Sequence, residues 1–188
     1  TGGVAYKGPV PSIELLIDLA REFPHFGYVK EEAGPVIPRT RALVAARPPI
    51  RRVFSARGGL GWLHEMHLGT EGLITERAAY ADVVTHIWQL HRSGSDPAAL
   101  CDAYGKFLLM ANLSETISGS GLRGAHLYVW KKRGVFKTMV SRHYGPGSAI
   151  PSSPIFSEFK LTDDEIAEIE FRFEALKPYL KAGSPTVE

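Results

Sequence analysis

The sequence predicts an α/β fold built from repeated strand–helix units. Three observations carry that expectation. Short apolar runs recur about every 20 to 26 residues, at 26–30, 51–55 and 72–75. Amphipathic stretches of helical period lie between them. The composition, 44% hydrophobic and 22% charged over 188 residues, is that of an ordinary core-bearing domain. Strands alternating with helices imply a parallel sheet with helical crossovers. A (β/α)8 barrel and an open doubly wound sheet both satisfy this pattern. A barrel takes roughly 250 residues. With three strands, or four if GGVAY at 2–6 is one, the chain would supply about half a barrel.

Taken in order, IELLIDLAREF places Ile13, Leu16, Ile17 and Ala20 on one helical face. Ser12 is its expected N-cap and Pro24 its stop. FGYVK at 26–30 reads as a short buried strand. A second helix fits 36–46, ended by Arg47 and the pair Pro48–Pro49. RRVFS at 51–55 is the next strand, RGGLG a glycine-rich loop, and WLHEMHLG a short helix stopped by Gly69. GLIT at 72–75 is the third strand. A long helix follows over 79–92, through Val83, Ile87 and Leu90. Asp96 caps a further helix that has Pro97 at its first position and runs to Asn112.

After residue 115 the pattern changes. LYVWKKRGVFKTMVSRHYGPGSAIPSSP, at 127–154, is basic and then rich in Gly, Pro and Ser, and reads as a connecting arm. LTDDEIAEIEFRFEALKPYL is a final helix. Thr162 and Glu165 form a capping box, and Ile166, Ile169, Phe173 and Leu176 make the buried stripe.

The totals narrow the function classes. Net charge is +2, from 22 basic and 20 acidic residues, which demands neither nucleic acid nor an anionic membrane. Cys101 is the single cysteine, so no internal disulfide forms. With no signal peptide visible, a reducing cytoplasm is the expected location. No run approaches the ~18 apolar residues of a membrane-spanning helix. The opening at Thr1, without methionine, reads as that of a processed chain or a fragment.

Lys30 is the main chemical candidate. In βα folds, sites lie at the carboxy ends of strands, and Lys30 ends FGYVK. Packed against Phe26, Tyr28 and Val29, its ammonium would be partly desolvated, which favours the neutral amine. An amine attacks a carbonyl to give a Schiff base, and the iminium stabilises a neighbouring carbanion without metal. The ordinary alternative is a surface lysine with its head in water, paired with Glu31 or Glu32.

GYVKEEAG, then VFSARGG, then LGTEGLIT, with helices of matching length between them, resembles the dihydrodipicolinate synthase and N-acetylneuraminate lyase family. These are class I aldolase barrels whose sixth strand ends in a Gly-x-Lys-(Glu/Asp) pattern. Gly27, Lys30 and Glu31 fit it with one extra residue before the lysine. The resemblance implies that this chain is a divergent member showing the second half of a (β/α)8 barrel over 1–94. A C-terminal helical extension over 95–188 would pack on that barrel. It implies Lys30 as the Schiff-base nucleophile toward pyruvate or another 2-oxo acid, with no cofactor and no metal. Ser55 and Ala56 stand at the family's seventh-strand turn, and Arg57 where an acidic residue is common. Gly72, Leu73, Ile74 and Thr75 match the eighth-strand motif, with Ile74 over the substrate. Ser55, Ala56, Arg57, Ile74 and Thr75 are thus the expected substrate-binding residues. The family's tyrosine proton relay, nearly thirty residues before the lysine, has no counterpart at Thr1 or Gly2. Tyr6 or Lys7 stands near the arginine that follows that relay in the synthases. A dehydratase of 2-keto-3-deoxy sugar acids using the same lysine, or a non-catalytic member, are the alternatives. The expected partners are a small 2-oxo acid and, by resemblance, copies of itself in a tetramer. Neither nucleic acid nor a membrane is expected.

Other features carry less. His64 and His67 are three apart, not the four of a zincin helix, and read as a solvated face. SARGGLG lacks the lysine of a phosphate loop and reads as a tight βα turn. Arg57 there would grip a carboxylate or make a surface ion pair. KKRGVFKT reads as a subunit contact or exposed arm. Trp62, Trp88 and Trp130 are expected in packing, and Glu76 and Arg77 near the substrate's distal end.

Overall fold

The computed structural model describes residues 8–23, 25–75, 78–113, 121–143, 155–158 and 160–181. The possible strand GGVAY, Tyr6, Lys7, Pro24, Glu76, Arg77 and the Gly/Pro/Ser stretch at 144–154 lie outside them. The chain forms two compact units, Pro9–Ala111, and Thr1–Gly8 with Asn112–Glu188.

In the first unit, α1 (Ile13–Glu22) starts where Ser12 Oγ accepts the Leu15 N–H at 3.1 Å. Its apolar face packs Ile13, Leu16, Ile17 and Ala20 on Val29, Leu43, Ile50 and Val53. These come from β1 (Tyr28–Lys30), α2 (Val36–Ala45) and the approach to β2 (Arg52–Phe54). Each such buried aliphatic contributes ~1.5–3 kcal/mol, so this cluster sets the sheet against its helices.

β1 and β2 pair in parallel, with Tyr28 opposite Arg52, Val29 opposite Val53 and Lys30 opposite Phe54. Both strands are shorter than the five residues expected. Residues 72–75, expected as a full strand, contribute one parallel bridge, Ser55 to Leu73. The ladder nonetheless continues there. Glu71 N–H reaches Val53 O, Ser55 N–H reaches Gly72 O, and Ile74 N–H reaches Ser55 O. At the amino end of this sheet, Glu71 accepts from Arg47 and Arg52.

The crossover after β2 is a tight turn, Arg57–Gly59, leading into α3 (Trp62–Leu68). Gly59 has φ 86°, and a Cβ there would lie 2.9 Å from the Phe107 ring. α4 (Ala81–Ser93) and α5 (Pro97–Ala111) pack on each other. Asp96 caps α5 by accepting the Ala99 N–H at 2.8 Å. The Tyr104 hydroxyl on α5 lies 2.9 Å from the carbonyls of Gly59 and Leu60, its acceptors. One buried phenol therefore holds the turn after β2. Trp62 is fully buried and stacks with Trp88.

The second unit corrects the reading of 127–154 as an arm from its start. α6 (Gly121–Lys132) is a regular helix, followed by the antiparallel pair β3 (Val140–His143) and β4 (Ile155–Glu158). The buried positions Ala125, Val129 and Arg133 recur every four residues. The arginine within that spacing disguises it as a basic segment. α7 (Asp163–Leu176) has the expected capping box between Thr162 and Glu165 and buries Ile169, Phe173 and Leu176. α6 and α7 are joined by Glu170, which accepts from Tyr128 Oη at 2.5 Å and from Lys132.

Candidate active site

β1 alternates exposed, buried, exposed, so Tyr28 and Lys30 share one face while Val29 points to the helices. Parallel register puts Arg52 and Phe54 on the same face as Tyr28 and Lys30. Ser55 and Leu73 are partners on the helix side, which turns Gly72 and Ile74 toward the Lys30 side. A Cβ on Gly72 would touch the Phe54 ring at 3.6 Å, in keeping with that arrangement. Lys30, Phe54 and Gly72 therefore stand level on that face at the carboxy ends of three parallel segments, with Ile74 two residues further along the third. Ile74 is 44% exposed there, an unusual placement for a large aliphatic.

Gly27 fixes where β1 begins. Its φ is 129°, and a Cβ would lie 2.9 Å from the Pro49 carbonyl oxygen. Its own carbonyl accepts from Arg51 and Arg52 N–H. A residue with a side chain would push β1 from β2 at this point.

Beyond Lys30 the two glutamates take opposite roles. Glu31 is buried. Its Oε1 accepts the Ala33 N–H at 2.7 Å and its Oε2 accepts Arg39 Nε at 3.0 Å. It fastens the strand exit to α2. Glu32 turns outward and accepts from Lys30 Nζ at 2.7 Å. The Lys30 hydrogen bond, opposed by partial burial and aided by the Lys30 charge, holds the Glu32 carboxyl below the usual carboxylate range. The Arg57 backbone N–H and charge add to that effect. Lys30, Glu32 and Arg57 thus form one cluster across the ends of β1 and β2. Lys30 keeps 37% of its side chain exposed, so the ammonium is reachable from solvent.

Arg57 has φ 52°, and Gly58 and Gly59 follow with φ 63° and 86°. A non-glycine residue in the left-handed region carries strain, and such outliers gather at functional sites. The turn exposes the Arg57 side chain. Ser55 and Ala56 are buried; Ser55 Oγ pairs with Thr70 Oγ1 at 3.0 Å, which leaves its backbone in the ladder. Thr75 is half-buried. Among the expected residues, Lys30, Arg57 and Ile74 present side chains at the strand ends, whereas Ser55 and Ala56 contribute backbone.

The sequence reading named Glu32 only as a possible surface partner of Lys30. It gave no role to Arg39 or Tyr104. The signal for Glu32 was the doubled glutamate directly after the lysine. Arg39, eight residues after Glu31, and Tyr104, 45 residues after Gly59, left none. His67 Nδ1 pairs with the Leu63 carbonyl at 2.7 Å and its ring meets His91 edge-on. Among the described residues no group of three His, Cys, Asp or Glu side chains is placed to hold a metal.

The fold and the strand-end cluster define a parallel βα assembly with a solvent-reachable lysine at its carboxy end. No family model matches the chain, and no curated protein matches it in sequence. Among solved structures, the dihydrodipicolinate synthase from Rhodopseudomonas palustris superimposes with a TM-score of 0.68 at 18% identity. The match covers 89% of this chain and 51% of that one, so the chain spans about half its length. The protein has a dihydrodipicolinate synthase-like fold of partial-barrel extent, and at this identity the likeness is one of fold. No helix among the described residues is long and apolar enough to cross a membrane.

Proposed function

We propose that the protein is a class I aldolase-type lyase in which Lys30 forms a Schiff base with pyruvate or a related 2-oxo acid. The observation that carries the reading is the position of Lys30. It ends a parallel strand on the face turned from the helices, opposite Phe54 of β2. A βα fold gathers its chemistry at such strand ends. In this reading residues 1–94 are the second half of a (β/α)8 barrel, and 95–188 are a helical extension. Ile74 covers the iminium. Arg57 grips a substrate carboxylate, and Ser55, Ala56 and Thr75 line the pocket. No cofactor or metal enters, the imine being the electron sink. The protein acts as a homo-oligomer, a tetramer by resemblance, and without nucleic acid or membrane. Its exposed thiol, Cys101, suits a reducing cytoplasm.

The test is borohydride reduction in the presence of pyruvate, followed by intact mass and peptide mapping. A reduced pyruvate adduct on the Lys30 peptide, absent from Lys30→Arg, is the expected result. No adduct with pyruvate or a panel of 2-oxo acids, from folded protein, would remove the Schiff-base reading. A carbon–carbon lyase and a sugar-acid dehydratase share the imine and are separated by product, pyruvate plus an aldehyde against a dioxo acid.

A further inference from the structure

Making an iminium from a lysine and a ketone moves protons twice. The ammonium must lose one before nitrogen can attack, and the carbinolamine hydroxyl must gain one before it leaves as water. A group that does both has to reach the nitrogen and then the hydroxyl oxygen on the carbon attached to it. Among the described residues, the hydrogen-bond acceptor on Lys30 Nζ is the Glu32 carboxylate, at 2.7 Å.

Resting on the Schiff-base reading of Lys30, we infer that Glu32 is the general acid–base of imine formation, the proton carrier between the Lys30 ammonium and the departing hydroxyl. The ammonium gives a proton to Glu32, leaving a neutral amine and a carboxylic acid. The amine attacks the ketone carbon, a carbon–nitrogen bond forms, and the nitrogen's second proton passes to the carbonyl oxygen. Glu32 then protonates the resulting hydroxyl. The carbon–oxygen bond breaks, water leaves, and the nitrogen lone pair closes the C=N bond. One positive charge enters on the ammonium and one remains on the iminium, three protons being shared between nitrogen and water throughout. Glu32 ends as it began, a carboxylate.

The surroundings fit this cycle. The Lys30 ammonium holds the carboxylate at the end of β1, and the Arg57 charge acts on it from the turn after β2. The Lys30 hydrogen bond is the largest influence on its acidity. Once the ammonium gives up its proton that influence is gone, and the carboxyl regains proton affinity when it must retain the proton. Glu31, buried on Ala33 and Arg39, keeps the intervening backbone in place, so of the two glutamates Glu32 is the one that faces the amine.

The experiment is rapid-quench borohydride trapping of pyruvate on the intact protein across a pH series, for wild type, Glu32→Gln and Glu32→Asp. The expected result is labelling of the same Lys30 peptide in all three. Glu32→Gln should be slower by ~10²-fold or more and have the acidic limb of its pH–rate profile moved to higher pH, because the amine must then be free before it attacks, with Glu32→Asp partly restoring both. Glu32 is exposed, so circular dichroism should show all three folded. A Glu32→Gln protein that labels as fast as wild type, with the same pH profile, makes the contact an ordinary ion pair and overturns the inference while the Schiff base stands. A wild type that never labels overturns both, and is told apart because Glu32→Gln then has nothing to be compared with.

Discussion

The buried pair of Glu31 and Arg39 gives the most demanding prediction about why Lys30 stands where it does. Glu31 is 3% exposed and Arg39 15%, with Nε and Oε2 3.0 Å apart. Glu31→Gln keeps the size and an acceptor for the Ala33 N–H, but it removes the guanidinium's hydrogen-bonded, buried counter-charge. Breaking a buried pair from one side costs ~3–5 kcal/mol. Arg39 retains some water contact, which places this case at the lower end, about 3 kcal/mol. For a chain of 188 residues that is a fall in Tm of roughly 6–12 °C, at ~2–4 °C per kcal/mol. The assay is thermal unfolding of Glu31→Gln, Arg39→Met and the double variant. The double should cost less than the sum of the singles by ~1–3 kcal/mol, since removing the second charge removes the orphan left by the first. A Glu31→Gln protein melting within a degree of wild type, or singles that simply add, would refute the claim that this pair anchors the strand exit.

Two further expectations follow from the same structure. Gly27→Ala puts a Cβ against the Pro49 carbonyl at a φ of 129°. It should cost ~1–3 kcal/mol and reduce pyruvate labelling of Lys30; an unchanged urea midpoint would show that β1 and β2 do not need that close approach. In the second unit, burial would raise Glu170, but Lys132 and Tyr128 outweigh it and hold the carboxyl below 4.5. A depressed folded value means its contribution is present above pH 4.5 and lost as pH falls through the folded value. Burial first, and then Glu170, pushes Tyr128 up to about 12 from 10.0. Stability held by the neutral phenol is therefore present below pH 10 and lost toward 12. Glu170→Gln should flatten the acid loss in a pH series of melts and move the Tyr128 phenolate absorbance toward 10. Unchanged curves would separate Glu170 from both partners.

Much of this molecule follows from local sequence. Ser12, Asp96 and Thr162 each cap the helix they were expected to cap, because a short oxygen-bearing side chain before an amphipathic run satisfies free amides within three residues. Gly69 ends α3 in the left-handed region for an equally local reason. The βα alternation, and with it the placing of Lys30 at a strand end, came from hydrophobic period alone. Period failed where the buried stripe contained a charge. Arg133 falls in line with Ala125 and Val129, and the carboxy half of α6, from residue 127, reads as part of an arm.

Tertiary structure decided what pairs across distance. Nothing local says that the third strand shrinks to a bridge, for its hydrogen bonds depend on how far β2 extends beside it. Nothing local sends Glu31 inward to Arg39 and Glu32 outward to Lys30 and Arg57. Two identical side chains in succession differ only in which face of the backbone the fold presents to each. Sequence supplied a lysine at the end of a strand. The carboxylate beside its nitrogen is a consequence of the path the chain takes after that strand, which is set by burial of Glu31 and by the turn at Arg57.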